Sequence, residues 1–335
     1  MSEAFSIGVD FGGTNLRVGS YAGEIELMDS IVLPTRLSEG RERVVRDMCE
    51  AILALSAKDY GGRKLAGIGV GSPGPLQLPQ GILCNPPNLP GWDNFGLRAA
   101  LESAVGSKIT LESDANAAAL AEQTWGAGRS YGVDSMCMLT LGTGVGNGLI
   151  LDGSIWHGTN GMGGEGGHII VRDVDGAPCG CGGSGCLEQY ASATAIVRMA
   201  HELMGEDAPE NSHDVAMTAE KGDDRARKVF ENVGHALAIA LTALINTLNL
   251  PLYTIGGGAG EAWDLFAPTM FRELQRRSYV YRLTAPDVLS PERLEEQKTY
   301  ILRAELGANA GLLGACLLPL QKKRDEARAA EQILV

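Results

Sequence analysis

Apolar residues open the chain in short runs: 5–10 (FSIGVD), 15–21 and 24–33, the first two separated by FGGT. Runs of that length bounded by glycine predict strands, here an antiparallel meander. Over 41–57 the period changes, with Val44, Val45, Met48, Ile52 and Leu55 at helical spacing. A strand at 65–70 leads into a Pro- and Gly-rich loop over 73–92. Loops that long in compact domains are commonly functional. A strand at 108–112 then runs into a helix starting near Asp114, favoured by Ala115, Ala117, Ala118 and Ala119.

The opening pattern then returns: strand 136–141, turn 142–146 (GTGVG), strand 147–151. Two strand–turn–strand units of the same kind imply an internal duplication, two similar halves facing each other across a cleft. Residues 158–186 are Gly-rich with almost no periodicity. Helices are predicted at about 187–204 and 223–247, and a strand at 252–255 runs into Gly256, Gly257 and Gly258. Further helices are predicted from about 261 and over 306–330, the last apolar to Leu320 and then charged.

The 335 residues suit two domains, and 44 % apolar with 21 % charged residues is globular composition. The net charge of −13 disfavours nucleic acid, whose phosphates need clustered Lys and Arg. An anionic ligand must then be held by backbone donors and a bound cation. No basic leader precedes the first strand and no apolar run reaches membrane-spanning length, which points to the cytoplasm.

Among seven cysteines, Cys179, Cys181 and Cys186 cluster in a CxCx4C pattern. Such thiolates converge on one ion, and a tetrahedral zinc needs a fourth ligand, for which His168 is the best candidate. With no position left for water the site is expected to be structural. Cys49, Cys84, Cys137 and Cys316 read as free thiols, and His157, His201, His213 and His235 as ordinary histidines.

The turn Asp10-Phe11-Gly12-Gly13-Thr14 exposes backbone N–H groups and a hydroxyl, a nest suited to phosphate oxygens, with Asp10 placed to hold Mg²⁺. Gly142, Thr143, Gly144 and Gly146 repeat that chemistry. The match of Gly69-x-Gly71-x-x-Gly74 to a dinucleotide fingerprint is spoiled by Pro73 and Pro75, where a helix should run. Asp114 sits where a helix dipole favours a carboxylate. Glu165 and Glu188 flank the zinc residues, where carboxylates suit a polyol.

Together these motifs resemble the ROK sugar kinases: GVDFGGTNLR at 8–17, NLPGW at 88–92, DANAAALAE at 114–122, LGTGVGNG at 141–148, GTNGMGGEGGH at 158–168, CGCGGSGCLE at 179–188 and IGGG at 255–258. The resemblance runs from Ile7 to about Leu318. It implies a duplicated ribonuclease H-like α/β fold of the hexokinase/actin-like ATPase type, with two domains around a cleft. Residues 1–115 with a C-terminal helix at about 306–335 form the small domain, and 116–305 the large one with the zinc loop. It also implies Asp114 as catalytic base; Asn88, Ser113, Asp114, Glu165, His168 and Glu188 at the sugar; Asp10, both Gly-Thr turns and Gly256 to Gly258 at MgATP; and His168, Cys179, Cys181 and Cys186 on zinc.

The implied reaction is ATP-dependent phosphorylation of a hexose, glucose to glucose 6-phosphate in the first place, by a homodimer or homotetramer. N-acetylmannosamine, N-acetylglucosamine, mannose and fructose are alternative acceptors, and polyphosphate an alternative donor. Ser113 departs from the family's usual Asn, which bears on sugar identity. Two rivals are a sugar-responsive repressor, for whose DNA-binding module nine residues before Asp10 leave no room, and a non-catalytic sugar sensor.

Overall fold

A computed structural model describes residues 4–87, 89–289 and 291–333, with side chains as far as Gln321. In chain order the elements are β1 (Ala4–Phe11), β2 (Asn15–Tyr21), β3 (Asp29–Pro34), α1 (Arg41–Ser56), β4 (Lys64–Ser72), β5 (Leu76–Gln77), β6 (Ile82–Leu83), α2 (Leu97–Val105), β7 (Ile109–Ser113), α3 (Asp114–Trp125) and α4 (Ala127–Ser130). There follow β8 (Met136–Leu141), β9 (Val145–Leu151), β10 (Ser154–Ile155), α5 (Glu188–Ala191), α6 (Ala193–Met204), α7 (Ser212–Glu220), α8 (Asp224–Leu248), β11 (Leu252–Gly256), α9 (Trp263–Arg277), α10 (Tyr279–Thr284), β12 (Tyr300–Arg303) and α11 (Ala310–Ile333).

The chain forms two compact units, one of residues 1–129, 148–164 and 308–335, the other of 130–147 and 165–307. The first sheet has order β3-β2-β1-β4-β7 and the second β10-β9-β8-β11-β12. In the first, β1 is antiparallel to β2 and parallel to β4, which is parallel to β7. In the second, β8 is parallel to β11 and β11 to β12. The two sheets share one strand order, the duplicated α/β architecture expected from the repeated glycine turns.

Unit 1 takes in α3 and 148–164, so it is wider than the 1–115 division expected from the sequence. The reason lies in how closely α11 seats. A Cβ at Gly314 would fall 1.8 Å from the Ala117 carbonyl oxygen, so α11 crosses α3 at backbone contact. The same helix lies directly on the sheet: Cβ atoms at Gly8, Gly67 and Gly69 would fall 2.5 Å from Cys316 N, 2.7 Å from Pro319 Cβ and 2.0 Å from Ala315 O. Alternation in β4 turns these glycines to one face, while Ile68 and Val70 turn to the other and bury with Ile7, Val9, Phe11, Met48 and Ile52. Gly69 therefore serves the seating of α11 on β4, and no helix follows Gly71; the chain continues into β5.

In unit 2, α8 is long and apolar enough by length and composition to cross a bilayer. Its apolar side, including Val229, Phe230, Val233, Leu237, Leu241 and Ile245, is instead buried within the unit, while Arg225, Arg227 and Lys228 stay exposed. It reads as a core helix.

Several elements depart from the sequence expectation. The third strand begins at Asp29, because Gly23 (φ +96°) turns the chain and Ile25 is left exposed. The helix expected over 187–204 is two, because Ser192 stops α5 and caps α6 by accepting the Ala195 N–H. The helix expected from 261 starts at Trp263 after a tight turn, and α11 starts at Ala310.

Gly69→Ala is expected to destabilise the protein by roughly 3 kcal/mol, since its methyl meets backbone that cannot give way. Gly13→Ala has open space and should shift stability by less than about 0.5 kcal/mol. Urea midpoints of the two variants check this contrast.

Candidate active site

In unit 1 the β1–β2 turn closes with Gly12 N–H donating to Asn15 O at 3.0 Å, and Thr35 pins it by donating its hydroxyl to Gly12 O at 2.7 Å. Gly13 and Thr14 at its tip are exposed. Asp10, just before the turn, is ion-paired with Arg17, whose guanidinium also reaches the Ala308 carbonyl. The N-terminal start of α11 backs this pair: a Cβ at Gly311 would lie 3.0 Å from Asp10 Oδ2.

Asp10 is in register with Gly71, and Gly71 with Glu112. The parallel strand ends β1, β4 and β7 thus lie side by side, and β1 and β7 are two strand spacings apart, about 10 Å. Carboxyl ends of parallel strands are where α/β sheets hold ligands. At that edge β7 passes into α3 without a loop. Ser113 caps the helix, its Oγ accepting the Asn116 N–H at 3.1 Å, and Asp114 is the first helical residue, its Oδ1 accepting the Ala115 N–H at 2.7 Å. Gly71 leaves room for it: a Cβ there would be 3.5 Å from Asp114 Cα.

Unit 2 repeats the turn between β8 and β9. Gly142 N–H donates to Gly144 O, Ala193 N–H to Gly142 O, and Thr194 Oγ1 to Thr143 O, at 2.8–2.9 Å. Gly257 (φ +83°) brings the end of β11 against β8, since a Cβ there would lie 2.5 Å from Leu141 O. Gly256 to Gly258 therefore border the second Gly-Thr turn.

The ligand atoms of His168, Cys179, Cys181 and Cys186 all lie within 4.8 Å of one another. Cys181 Sγ is 3.7 Å from Cys186 Sγ, and Cys179 Sγ 3.7 Å from His168 Nδ1. Thiolates about 2.3 Å from a tetrahedral ion stand about 3.8 Å apart, so the residues fit such an ion. The loop is a small knuckle: Cys179 N–H donates to Gly183 O at 2.9 Å and Ile170 bridges to Cys186. Burial, reinforced by the adjacent thiols, pushes Cys186 up to about 12, whereas the Gly183 N–H lowers Cys181. Three neighbouring thiols cannot all ionise without a cation, which is what a bound metal supplies.

The His168 ring faces two ways. Nδ1 points to Cys179, and Nε2 lies 3.9 Å from Glu165 Oε2. Glu188 approaches Cys179 with Oε1 at 3.9 Å and accepts the Val145 N–H with Oε2 at 3.0 Å. Partial burial raises the Glu165 carboxyl, with His168 opposing and Glu188 adding to the rise. Glu165, His168 and Glu188 are thus brought together beside the metal cluster, and Ser113 and Asp114 together at the β7–α3 junction. Asn88 lies outside the described residues.

The ROK family profile matches residues 6–322. The chain belongs to the ROK family. This ROK chain is 33 % identical over 344 residues to a glucokinase of Halalkalibacterium halodurans, covering 99 % of each. It is 37 % identical over 275 residues to a glucokinase of Thermotoga maritima, covering 78 % of this chain and 84 % of that one. Among solved structures it is similar to a ROK glucokinase of Streptomyces griseus in complex with glucose and AMPPNP, at TM-score 0.77 and 30 % identity, over 95 % and 100 % of the two chains.

Two residues at the β7–α3 junction escaped sequence reasoning. Glu112 is buried and lies 2.6 Å from His157 Nε2, a histidine read as ordinary. Alternation in β7 gave no warning, since it pairs Glu112 with Thr110 opposite Ile109 and Leu111; the available signal was only a carboxylate directly before the Ser113-Asp114 junction.

The purified ROK protein is expected to carry one zinc per chain by elemental analysis. Cys181→Ser should weaken that zinc by at least about 100-fold, the upper end of what losing a group behind the ligands costs. Competition with a chromogenic chelator measures it.

Proposed function

We propose that this chain phosphorylates a hexose at the expense of ATP, with glucose accepting at O6. The single observation that carries this reading is the edge of the first sheet, where Asp114 and the Gly12–Thr14 turn stand about two strand spacings apart. A nucleophile-activating carboxylate at that separation from a phosphate nest suits transfer of a terminal phosphoryl group to a bound hydroxyl. The likeness to glucokinases supports the acceptor.

In this reading unit 1 supplies the base and one phosphate turn. Unit 2 supplies the second turn, the Gly256–Gly258 turn for the adenosine side, and the hydroxyl-binding groups. Asp114 accepts the O6 proton as that oxygen attacks. On unit 1 the backbone N–H groups of Gly12 and Gly13 and the Thr14 hydroxyl receive charge that spreads over the γ-phosphate, and unit 2 offers donors of the same kind at Gly144, Gly146 and Thr143. Mg²⁺ travelling with the nucleotide would be held near Asp10 and would neutralise part of that charge. Glu165 and Glu188 accept sugar hydroxyl hydrogens, and His168 Nε2 meets another, its Nδ1 being turned to the thiols. Ser113 retains its O–H to donate to the sugar, with its lone pair capping α3. Zinc at His168, Cys179, Cys181 and Cys186 serves to hold this loop in shape. The reading places the protein in the cytoplasm, as a homodimer or homotetramer.

Asp114→Asn keeps size and polarity and removes the base. The kcat for glucose is expected to fall by about 10²–10⁴, with glucose affinity by calorimetry nearly unchanged. Near-normal turnover in that variant would refute the assignment.

A further inference from the structure

Glu112 is the last inward residue of β7, and its side chain is 5 % exposed. Oε1 accepts the Ser113 N–H at 2.9 Å and an Asn116 Nδ2–H at 3.0 Å, while Oε2 lies 2.6 Å from His157 Nε2. These donors come from two directions. Ser113 and Asn116 are the cap and third residue of α3, so one carboxylate oxygen grips both sides of Asp114. His157 arrives from a segment 45 residues further on.

That segment is itself anchored. Trp156 N–H donates to Leu149 O at 2.9 Å, and Gly163 N–H to His157 O at 2.8 Å. The Trp156 indole lies against Gly163 and Leu78 against Gly161, where Cβ atoms would fall 2.7 and 3.0 Å from those side chains. His157 is therefore presented to Glu112 by a braced loop, although its own side chain is 40 % exposed. A buried carboxylate is costly to leave short of partners. Without the imidazole, Glu112 must either turn toward solvent or take in water, and both loosen its hold on Ser113 and Asn116.

We infer that Glu112 and His157 form a positioning pair for the base: His157 holds Glu112 in the one rotamer from which it anchors both neighbours of Asp114. The inference rests on the kinase reading above. His157 acts through Glu112 and the first turn of α3, not on the acceptor oxygen, so it is a positioning residue.

The test compares wild type, His157→Ala, His157→Gln, Glu112→Gln and the double variant Glu112→Gln/His157→Ala in a coupled ADP-release assay with glucose, with melting curves alongside. His157→Ala should lower kcat by about tenfold to a hundredfold, the scale of a small displacement of a reacting group. The KM for MgATP should stay within about twofold, because the phosphate turns are untouched. The melting temperature should remain well above the assay temperature. His157→Gln, whose amide N–H can still reach Oε2, should recover most of the lost kcat. The double variant should be little worse than Glu112→Gln alone, the mark of two residues acting as one unit. Wild-type kcat in His157→Ala, failure of His157→Gln to rescue, or additive losses would each overturn the pairing. Absence of turnover by wild type on every hexose tried would instead overturn the kinase reading on which it rests.

Discussion

Residues 112 to 114 leave no room for a loop. Strand β7 ends at Ser113 and α3 begins at Asp114, so the polar groups of the junction have to satisfy one another. Ser113 gives its hydroxyl oxygen to the Asn116 N–H, and Glu112 receives the Ser113 N–H and the Asn116 side chain. An N-cap of this kind contributes on the order of 1 kcal/mol. Its larger effect here is geometric, because a helix that begins on the strand's last residue has its first side chain fixed by the sheet. Gly71 on the neighbouring strand lies directly beside it, a Cβ there falling at ordinary contact distance, 3.5 Å, from Asp114 Cα. The glycines that seat α11 on β1 and β4 extend the same logic: helices and strands meet at backbone distance, so their ends cannot drift independently.

The two copies of the strand–turn–strand unit have come to depend on different supports. In unit 1 the turn is braced by Thr35 from the following strand's end and by the Asp10–Arg17 pair. In unit 2 the support comes from the segment after the metal cluster: Ala193 and Thr194 bond the Gly142–Thr143 carbonyls, and Glu188 takes the Val145 N–H. Glu188 lies two residues after Cys186 and its other oxygen approaches Cys179. A metal held by those thiols therefore fixes the carboxylate that closes the second turn. A metal held there would brace the second turn as a structural member, even with every coordination position filled by protein.

Much of this was legible in the residues, and the reasons for the exceptions are physical. The two Gly-Thr turns, the alanine-rich α3 and the CxCx4C spacing are local patterns, and local patterns survive in a linear reading. The four-residue strand β12 has no alternation to reveal it and exists by pairing with β11. The break at Ser192 hides inside a helical period because a capping serine looks like any polar position until the preceding turn is seen to end. His157 carried no signal at all: a lone histidine acquires meaning only from its partner, and Glu112 lies 45 residues away on β7. Gly69 shows the converse, a residue of a motif present in the letters that serves an unrelated purpose, the seating of α11 on β4.

Charge explains why glycine carries so much of the site. With a net charge of −13, a triphosphate approaching this chain meets repulsion at long range, and Arg17, beside the first turn, is already paired to Asp10. Arg17 therefore offers little net positive charge to a phosphate. What remains at the turn tips are backbone N–H groups, and these can point at a ligand only where side chains do not stand in the way. Gly13 has nothing within 4 Å of where a Cβ would be, and Gly142 only a backbone oxygen at that limit. Neutral donors of this sort can bind phosphate without placing a fixed positive charge next to Asp10 and Asp114, whose carboxylates the proposed function assigns to a magnesium ion and to a hydroxyl proton. A lysine at the first turn would strengthen ground-state binding of the nucleotide, but it would also compete with both of those roles, and tighter ground-state binding does not by itself raise the rate of transfer.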